Sequence, residues 1–236
     1  NEFLKSKMKK HHSDENNYEL FKLIKQGENQ YLDFKQEIDD ARKIARAMAA
    51  FANADGGRLL IGVKDNGNIA GIRSEEEMYM LQAAAEYYTK PKINYTLKQW
   101  FINKKTVLEA FIPPSKKSPH FVQNEKNEWK AYLRVDDQNI VLEPIVVNIL
   151  KEKNANKPVF LQYGDDENKI LSLLQTHKNL KADDIARDTL LPHSIVKNVL
   201  TSFALLKVVD YKVTINGTLF KLGHKTQVEH YLNQML

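Results

Sequence analysis

The chain has 236 residues, 42% of them hydrophobic and 28% charged, with only 9 Gly and 7 Pro; this excludes a collagen-like or wholly disordered protein and leaves room for one large domain or two small ones. There is no cysteine, which excludes disulfide scaffolds, thiolate zinc sites, thiol nucleophiles and iron–sulfur clusters. Lys and Arg number 35 against 30 Asp and Glu, a net charge of +5, compatible with a polyanion partner and far below histone-like density.

Residues 1–16 read as a flexible basic arm. No apolar run approaches the roughly 18–20 residues that cross a bilayer, and the arm lacks a signal-peptide core, so the expected location is cytoplasmic, without a membrane partner. Tyr18, Leu20, Phe21, Leu23 and Ile24 have helical spacing, closed by Gly27. Tyr31 to Lys35 alternates like a strand. A helix follows from about Asp40 to Asn53, capped by Asp39 or Asp40, with Ile44, Ala45, Met48, Ala49 and Phe51 on or near one face.

Arg58 to Val63 is an apolar strand, and Asp65-Asn66-Gly67 predicts a tight turn into a two-stranded ribbon with residues 68–71. Ser74 and Glu77 form a capping-box pattern for a helix ending before Pro91. Strands are expected at Ile93–Phe101, Thr106–Ile112, His120–Val122 and Trp129–Val135, then a closing helix at Pro144–Lys153. Residues 154–166 read as a linker. Beyond it, Glu167–His177, Lys181–Thr189 and Pro192–Phe203 have helical apolar spacing. Lys207–Val213 and Thr218–Leu222 read as strands joined by Asn216-Gly217, and residues 224–236 as a terminal helix. Three helices and a hairpin are the order of a winged helix-turn-helix. The expected organisation is thus an α+β, mixed-sheet domain over 17–153 and a small winged helix over 167–223.

The first domain carries several blocks in series: Gly27-Glu28, Asp33-Phe34-Lys35, Ala50-Phe51-Ala52-Asn53-Ala54-Asp55-Gly56-Gly57, Leu60-Ile61-Gly62-Val63-Lys64-Asp65-Asn66-Gly67 and Ala70-Gly71-Ile72. In these blocks the chain resembles the Schlafen AlbA-type domain, also labelled divergent AAA or AlbA-like DNA-binding, over about Tyr18 to Lys153. Asp33 stands where that family usually has Glu, and Arg134-Val135-Asp136-Asp137 where it usually has Arg-x-Gly-Ser. An ATP-binding reading travels with the family's name, but the chain has no Gly-x-x-x-x-Gly-Lys-Ser/Thr run.

The resemblance implies that Glu28, Asp33 and Asp65 match the carboxylates of the family's nuclease branch. Clustered carboxylates can hold Mg²⁺ or Mn²⁺, which polarise a phosphoryl group and activate water. The same three residues also fit a helix end, an ion pair with Lys35 or Lys43, and an Asx turn. Gly56-Gly57 can admit a phosphate to the backbone or simply end a helix. Lys35, Arg42, Arg46, Arg58 and Arg134 are candidate phosphate contacts, with Arg42 and Arg46 one helical turn apart. Trp100 beside Lys98 and Trp129 beside Lys130 either stack on bases or belong to the core.

In the second domain the recognition helix would be Pro192–Phe203, offering His193, Ser194, Lys197, Asn198 and Thr201, with Lys207, Lys212 and Lys221 from the wing. Residues 165–236 hold 9 basic and 8 acidic side chains, so +1, leaving 26 against 22, or +4, for the rest. The seven His residues lack zinc-ligand spacing, and no Gly-x-Ser-x-Gly elbow is present. The expectation is a nucleic-acid-binding protein, a DNA-binding transcriptional regulator without a cofactor, whose partner is duplex DNA and which can pair as a homodimer on half-sites. The alternative is a metal-dependent endoribonuclease acting on structured RNA; a third reading is an interaction module whose winged helix only dimerises.

Overall fold

The computed structural model describes residues 17–155, 158–159 and 163–223. The expected arm at 1–16, the terminal helix at 224–236 and part of the linker lie outside the described residues. The chain divides into two compact units, the first ending at Val141 and the second beginning at Leu142.

The first unit opens with helix α1 (17–25), which buries Leu20 and Ile24 and stops at Gly27, whose φ of +67° favours glycine. Strand β1 (Leu32–Lys35), helix α2 (Ala41–Asn53), strand β2 (Gly57–Ile61), helix α3 (Glu76–Glu86) and strand β3 (Thr89–Lys90) follow. Then come β4 (Thr96–Ile102), β5 (Lys105–Ile112), β6 (Phe121–Gln123), β7 (Trp129–Val135) and β8 (Gln138–Val141). They form two four-stranded sheets, ordered β1-β2-β5-β4 and β3-β6-β7-β8. Only β1 and β2 pair in parallel; the remaining pairs are antiparallel.

Helix α2 touches β2 and β5 of one sheet and β6, β7 and β8 of the other. Asp40 caps it, its carboxylate accepting from Arg42 N at 2.8 Å. The sequence suggests one apolar face, but every residue from Ala47 to Asn53 is buried. Alanine explains how: Ala47, Ala49, Ala50 and Ala52 keep high helix propensity while leaving room for a sheet on either side. The helix ends at a close approach. Gly56 has φ +79°, and a Cβ on Gly57 would fall inside the Phe51 ring, so both glycines serve backbone geometry. The other face of the first sheet buries Leu32, Phe34, Leu60, Val63, Trp100, Ile102 and Val107 with Leu20 and Ile24 of α1.

Two local expectations are corrected. The turn at 64–67 forms, with Gly67 N donating to Lys64 O at 2.8 Å, but it leads into no ribbon: only Val63 and Ile69 bridge, and β2 pairs with β1 and β5 instead. Gly62, at φ +94°, turns the chain out of the strand, and Ala70 and Gly71 N–H both bond its carbonyl. Glu77 does not complete a capping box with Ser74. Its buried carboxylate accepts from Arg73 N at 2.7 Å and Ile38 N at 3.0 Å, pinning the entry to α3 against the entry to α2.

The second unit contains α4 (Pro144–Ala155), α5 (Asp165–Thr176), α6 (Ala182–Thr189), α7 (His193–Leu205), β9 (Val209–Thr214) and β10 (Gly217–Leu222). The sequence reading gives 144–153 to the first domain, whereas α4 packs against α7 in the second unit. Its buried Ile145, Val146 and Ile149 supply the apolar stripe. Helices α5 to α7 bury Ile170, Leu171, Leu174, Ile185, Val196, Val199, Leu200 and Phe203, joined by Phe220 of β10. The β9–β10 hairpin is extended by a bridge in which Leu180 and Phe220 exchange backbone hydrogen bonds of 3.0 and 2.8 Å. Glu143 accepts from Thr218 N at 3.0 Å. The turn from α6 to α7 places Leu190 at φ +59°, with 90% of its surface exposed. No helix among the described residues is long and apolar enough to cross a membrane.

Candidate nucleic-acid interface

Asp33 points to the α2 side of its sheet and is 3% exposed. Arg134, on β7 of the other sheet, is wholly buried beneath it: Nη1 lies 3.3 Å from Asp33 Oδ1. The remaining guanidinium donors are also used. Nη1 reaches Asn139 Oδ1, Nη2 reaches Asn29 O and Leu32 O, and Nε reaches Asn29 O, all within 3.2 Å. The plane lies over the Phe51 ring, 5.1 Å from its centroid. Arg134 was expected to contact phosphate; the structure instead makes it an ionic tie between sheets, because a fully paired planar fork is one of the few ways to bury a cation. Lys35 is likewise committed, with Nζ 2.9 Å from Asp33 Oδ2 and 2.7 Å from Phe34 O.

Glu28 lies beside this pair, accepting from Phe34 N at 2.9 Å. Burial pushes its carboxyl above the ordinary glutamate range, and neighbouring Asp33 adds to the effect against the Phe34 N–H. Asp65 is exposed in the turn after β2. Among the described residues, no three His, Asp or Glu come together as a group able to hold a metal ion, so Glu28, Asp33 and Asp65 do not form a three-carboxylate site here. Asn53, from the block ending α2, is a second buried tie. Its Nδ2 donates to His120 O and Tyr132 O at 3.0 and 2.8 Å, and Oδ1 accepts from His120 N at 2.6 Å.

The register brings Arg58, Phe111 and Thr96 into one row, and Leu60, Glu109 and Lys98 into the next, on the sheet face partly covered by α1. Buried Glu109 is the hub, accepting from Arg58 Nε and Trp100 Nε1, both at 2.8 Å. Nothing in the sequence reading singles out Glu109, although a carboxylate within the apolar run Val107–Ile112 was the available signal. Arg58 lies over Phe111 at 5.4 Å, and Lys98 Nζ over Trp100 at 3.5 Å. Trp100 is 4% exposed and is core, whereas Phe111 and Arg58 remain reachable. On α2, Arg42 lies over Tyr88 and Arg46 is 3.6 Å from Glu125; each is half-buried. Lys90 covers Trp129.

The blocks from Glu28 to the β7–β8 hairpin, and the ties between them, coincide with a family model. Residues 28–143 match Schlafen, AlbA_2. The first unit therefore carries a Schlafen AlbA_2 domain. Among solved structures the chain is similar to the DIP2311 protein of Corynebacterium diphtheriae, with 17% identity, coverage of 80% of this chain and 34% of that one, and a TM-score of 0.43. It is also similar to the N-terminal domain of a putative ATP-dependent DNA helicase RecG-related protein of Nitrosomonas europaea, with 21% identity, coverage of 53% and 95%, and a TM-score of 0.36. The chain spans about a third of the length of the Corynebacterium chain. A search of the curated proteins finds no match.

Outside the AlbA_2 domain, α7 keeps Val196, Val199, Leu200 and Phe203 buried and leaves His193, Ser194 and Asn198 exposed, with Lys197 half-exposed beside them. His193 Nδ1 lies 3.3 Å from Asp183 Oδ1 at the start of α6. Thr201 was expected on the open face; it is 9% exposed and donates to Lys197 O at 2.7 Å, a turn back along the helix. Lys207, Lys212 and Lys221 are exposed around the hairpin.

Proposed function

We propose that the protein is a DNA-binding transcriptional regulator whose second unit is a winged helix-turn-helix that reads duplex DNA through α7. The AlbA_2 domain supports a nucleic-acid-related function in general. The observation that carries the finer reading is the α7 surface: a helix anchored on its apolar side by α4, α5 and α6 presents Ser194, Lys197 and Asn198 together. Asn can bond adenine in two places, Ser either base edge, and Lys a guanine edge or a phosphate. In this reading the exposed Lys212 on β9 neutralises a flanking phosphate. With two or three lysines engaged, log K would fall with log salt at a slope of about −2 to −3.

The endoribonuclease alternative asks Glu28, Asp33 and Asp65 to share a cation. Arg134 already supplies the positive charge that Asp33 requires, which favours the regulator. Fluorescence anisotropy against a randomised duplex pool, followed by the selected site, tests the reading. Asn198→Ala should lose about 1–3 kcal/mol at one base position, and Lys197→Ala should reduce the salt slope by about 1. Asp65→Ala should bind as wild type. Metal-dependent cleavage of structured RNA that disappears in Asp65→Ala would overturn the proposal.

A further inference from the structure

In the first unit a cavity of about 300 Å³ lies beside the end of α2, lined by Lys92, Asn94, Ser115, Lys116, Lys117 and His120 among others. Three lysines line it and no carboxylate does. Lys92 Nζ is 3.7 Å from Glu86, while Lys116 and Lys117 have no ion-pair partner among the described residues. Two lysines without such a partner, beside a third held by Glu86, favour an anion in a concave site.

The floor is built rather than incidental. His120 is 1% exposed. Its Nδ1 lies 2.7 Å from Pro91 O, and a carbonyl can only accept, so Nδ1 carries the hydrogen. Nε2 of the neutral ring is then bare and accepts the Ser115 hydroxyl at 2.7 Å. Ser115 Oγ also accepts from Lys117 N at 3.1 Å, and Ser115 N donates to Ala52 O at 2.9 Å. Both ends of the segment from Ser115 to His120 are thus fastened to the end of α2, through Ala52 O and through Asn53 Oδ1.

We propose that this cavity is a binding site for the phosphate group of a small phosphorylated compound, with Lys92, Lys116 and Lys117 supplying charge and Ser115 a hydroxyl donor that His120 controls. In the arrangement described, the Ser115 proton is spent on His120. When His120 takes up a proton, Nε2–H donates to Ser115 Oγ, and the Ser115 hydroxyl turns outward to the anion. Binding therefore carries a proton with it. Burial, reinforced by Lys117, holds the free ring below the usual histidine value, so the anion is what draws the proton in. Lys117 is the charged group that acts on the ring, Lys92 and Lys116 line the same cavity, and α2 meets the segment through the uncharged Ala52 and Asn53. The volume suits a phosphate with a body the size of a sugar or one nucleoside and is too small for a dinucleotide cofactor. Nothing in this site depends on the second unit reading DNA.

The test is a titration of the ¹⁵N-labelled full chain with sulfate at constant ionic strength, with chloride as the balancing anion. Sulfate keeps its charge between pH 5 and 8, so any pH dependence belongs to the protein. Saturable shifts confined to Ser115–His120 and their lysine neighbours are expected, severalfold tighter at pH 5.5 than at 7.5. Ser115→Ala should weaken binding about tenfold and flatten the pH dependence. Lys116→Ala with Lys117→Ala, both exposed, should weaken binding at both pH values without touching the fold. Unsaturable shifts, shifts equal to those with chloride, or a Ser115→Ala titration identical to wild type would overturn the site. A nucleoside 5′-monophosphate against its nucleoside, and a 5′-phosphorylated against a 5′-hydroxyl oligonucleotide, identify the source: a gain only in the first pair means a small ligand, and a gain in the second assigns the phosphate to a nucleic-acid end. Duplex affinity that depends on Lys197 would survive failure of this site, so the two proposals fail separately.

Discussion

Arg134 and Lys197 are both cations set among apolar residues in regular elements, one on β7 of the first unit and one on α7 of the second. Around Arg134 every donor has found a partner inside the protein; around Lys197 the neighbouring polar side chains Ser194 and Asn198 are left to solvent. The difference teaches where nucleic-acid recognition can and cannot reside. A buried cation whose hydrogen bonds are complete has nothing to offer a phosphate, however basic it looks in sequence.

The sharpest way to break the comparison is to remove the buried member. Arg134→Met should cost about 3–5 kcal/mol, because buried Asp33 would keep only the half-buried Lys35 as counter-charge and Asn29 O, Leu32 O and Asn139 would lose their donors; a urea melt reads this as a lowered midpoint for the first unit. Asp33→Asn with Arg134→Met should recover part of the loss, and no recovery would mean that the cost is packing on Phe51 rather than charge. Asn53→Ala comes next, at about 2–4 kcal/mol, since three buried backbone groups of His120 and Tyr132 lose their partner. A smaller effect of opposite sign belongs to the second unit. Leu190→Gly should stabilise it by about 0.5–1 kcal/mol by relieving a left-handed leucine that packs against little, read as a higher Tm. Lys197→Ala should change stability by no more than about 0.5 kcal/mol while reducing duplex affinity, which completes the contrast with Arg134.

Acid sharpens the same contrast. Burial depresses the His120 pKa, so the unfolded chain, titrating near the ordinary histidine value, binds more protons than the folded chain in the window just below about 6.5. The His120 contribution to stability is full above that value and is lost as pH falls towards the folded pKa. Urea midpoints taken from pH 7.5 down to 5 should show this slope, and His120→Gln should remove it.

Much of the fold was legible locally. Periodicity and caps located α2, α5, α6 and α7 to within a residue or two, because those signals are short-range: Asp40 caps α2 as its position suggests. What is set by distant parts of the chain was not. The pairing of β2 with β5 rather than with residues 68–71 depends on a partner about fifty residues away, and β3 and β8 are too short for alternation to show. The placement of α4 in the second unit is a tertiary fact, as its apolar stripe would suit either neighbour. At the candidate interface, helical periodicity puts Ser194, Lys197 and Asn198 opposite the apolar stripe, and Ser194 and Asn198 are exposed with Lys197 half-exposed. Thr201 is not exposed, since a threonine hydroxyl can satisfy itself on a carbonyl one turn back. Glu109 and the Ser115–His120 pair were missed because each is defined by groups that only the folded chain assembles.

The enclosure of α2 between two sheets has a kinetic corollary. Neither sheet can shed that helix without uncovering apolar surface on the other, so the amides of Met48–Asn53 should exchange with solvent only when the entire first unit opens. In native-state hydrogen exchange they would report the global opening free energy, while α1, which covers one face of one sheet alone, can come away in a smaller event and exchange faster.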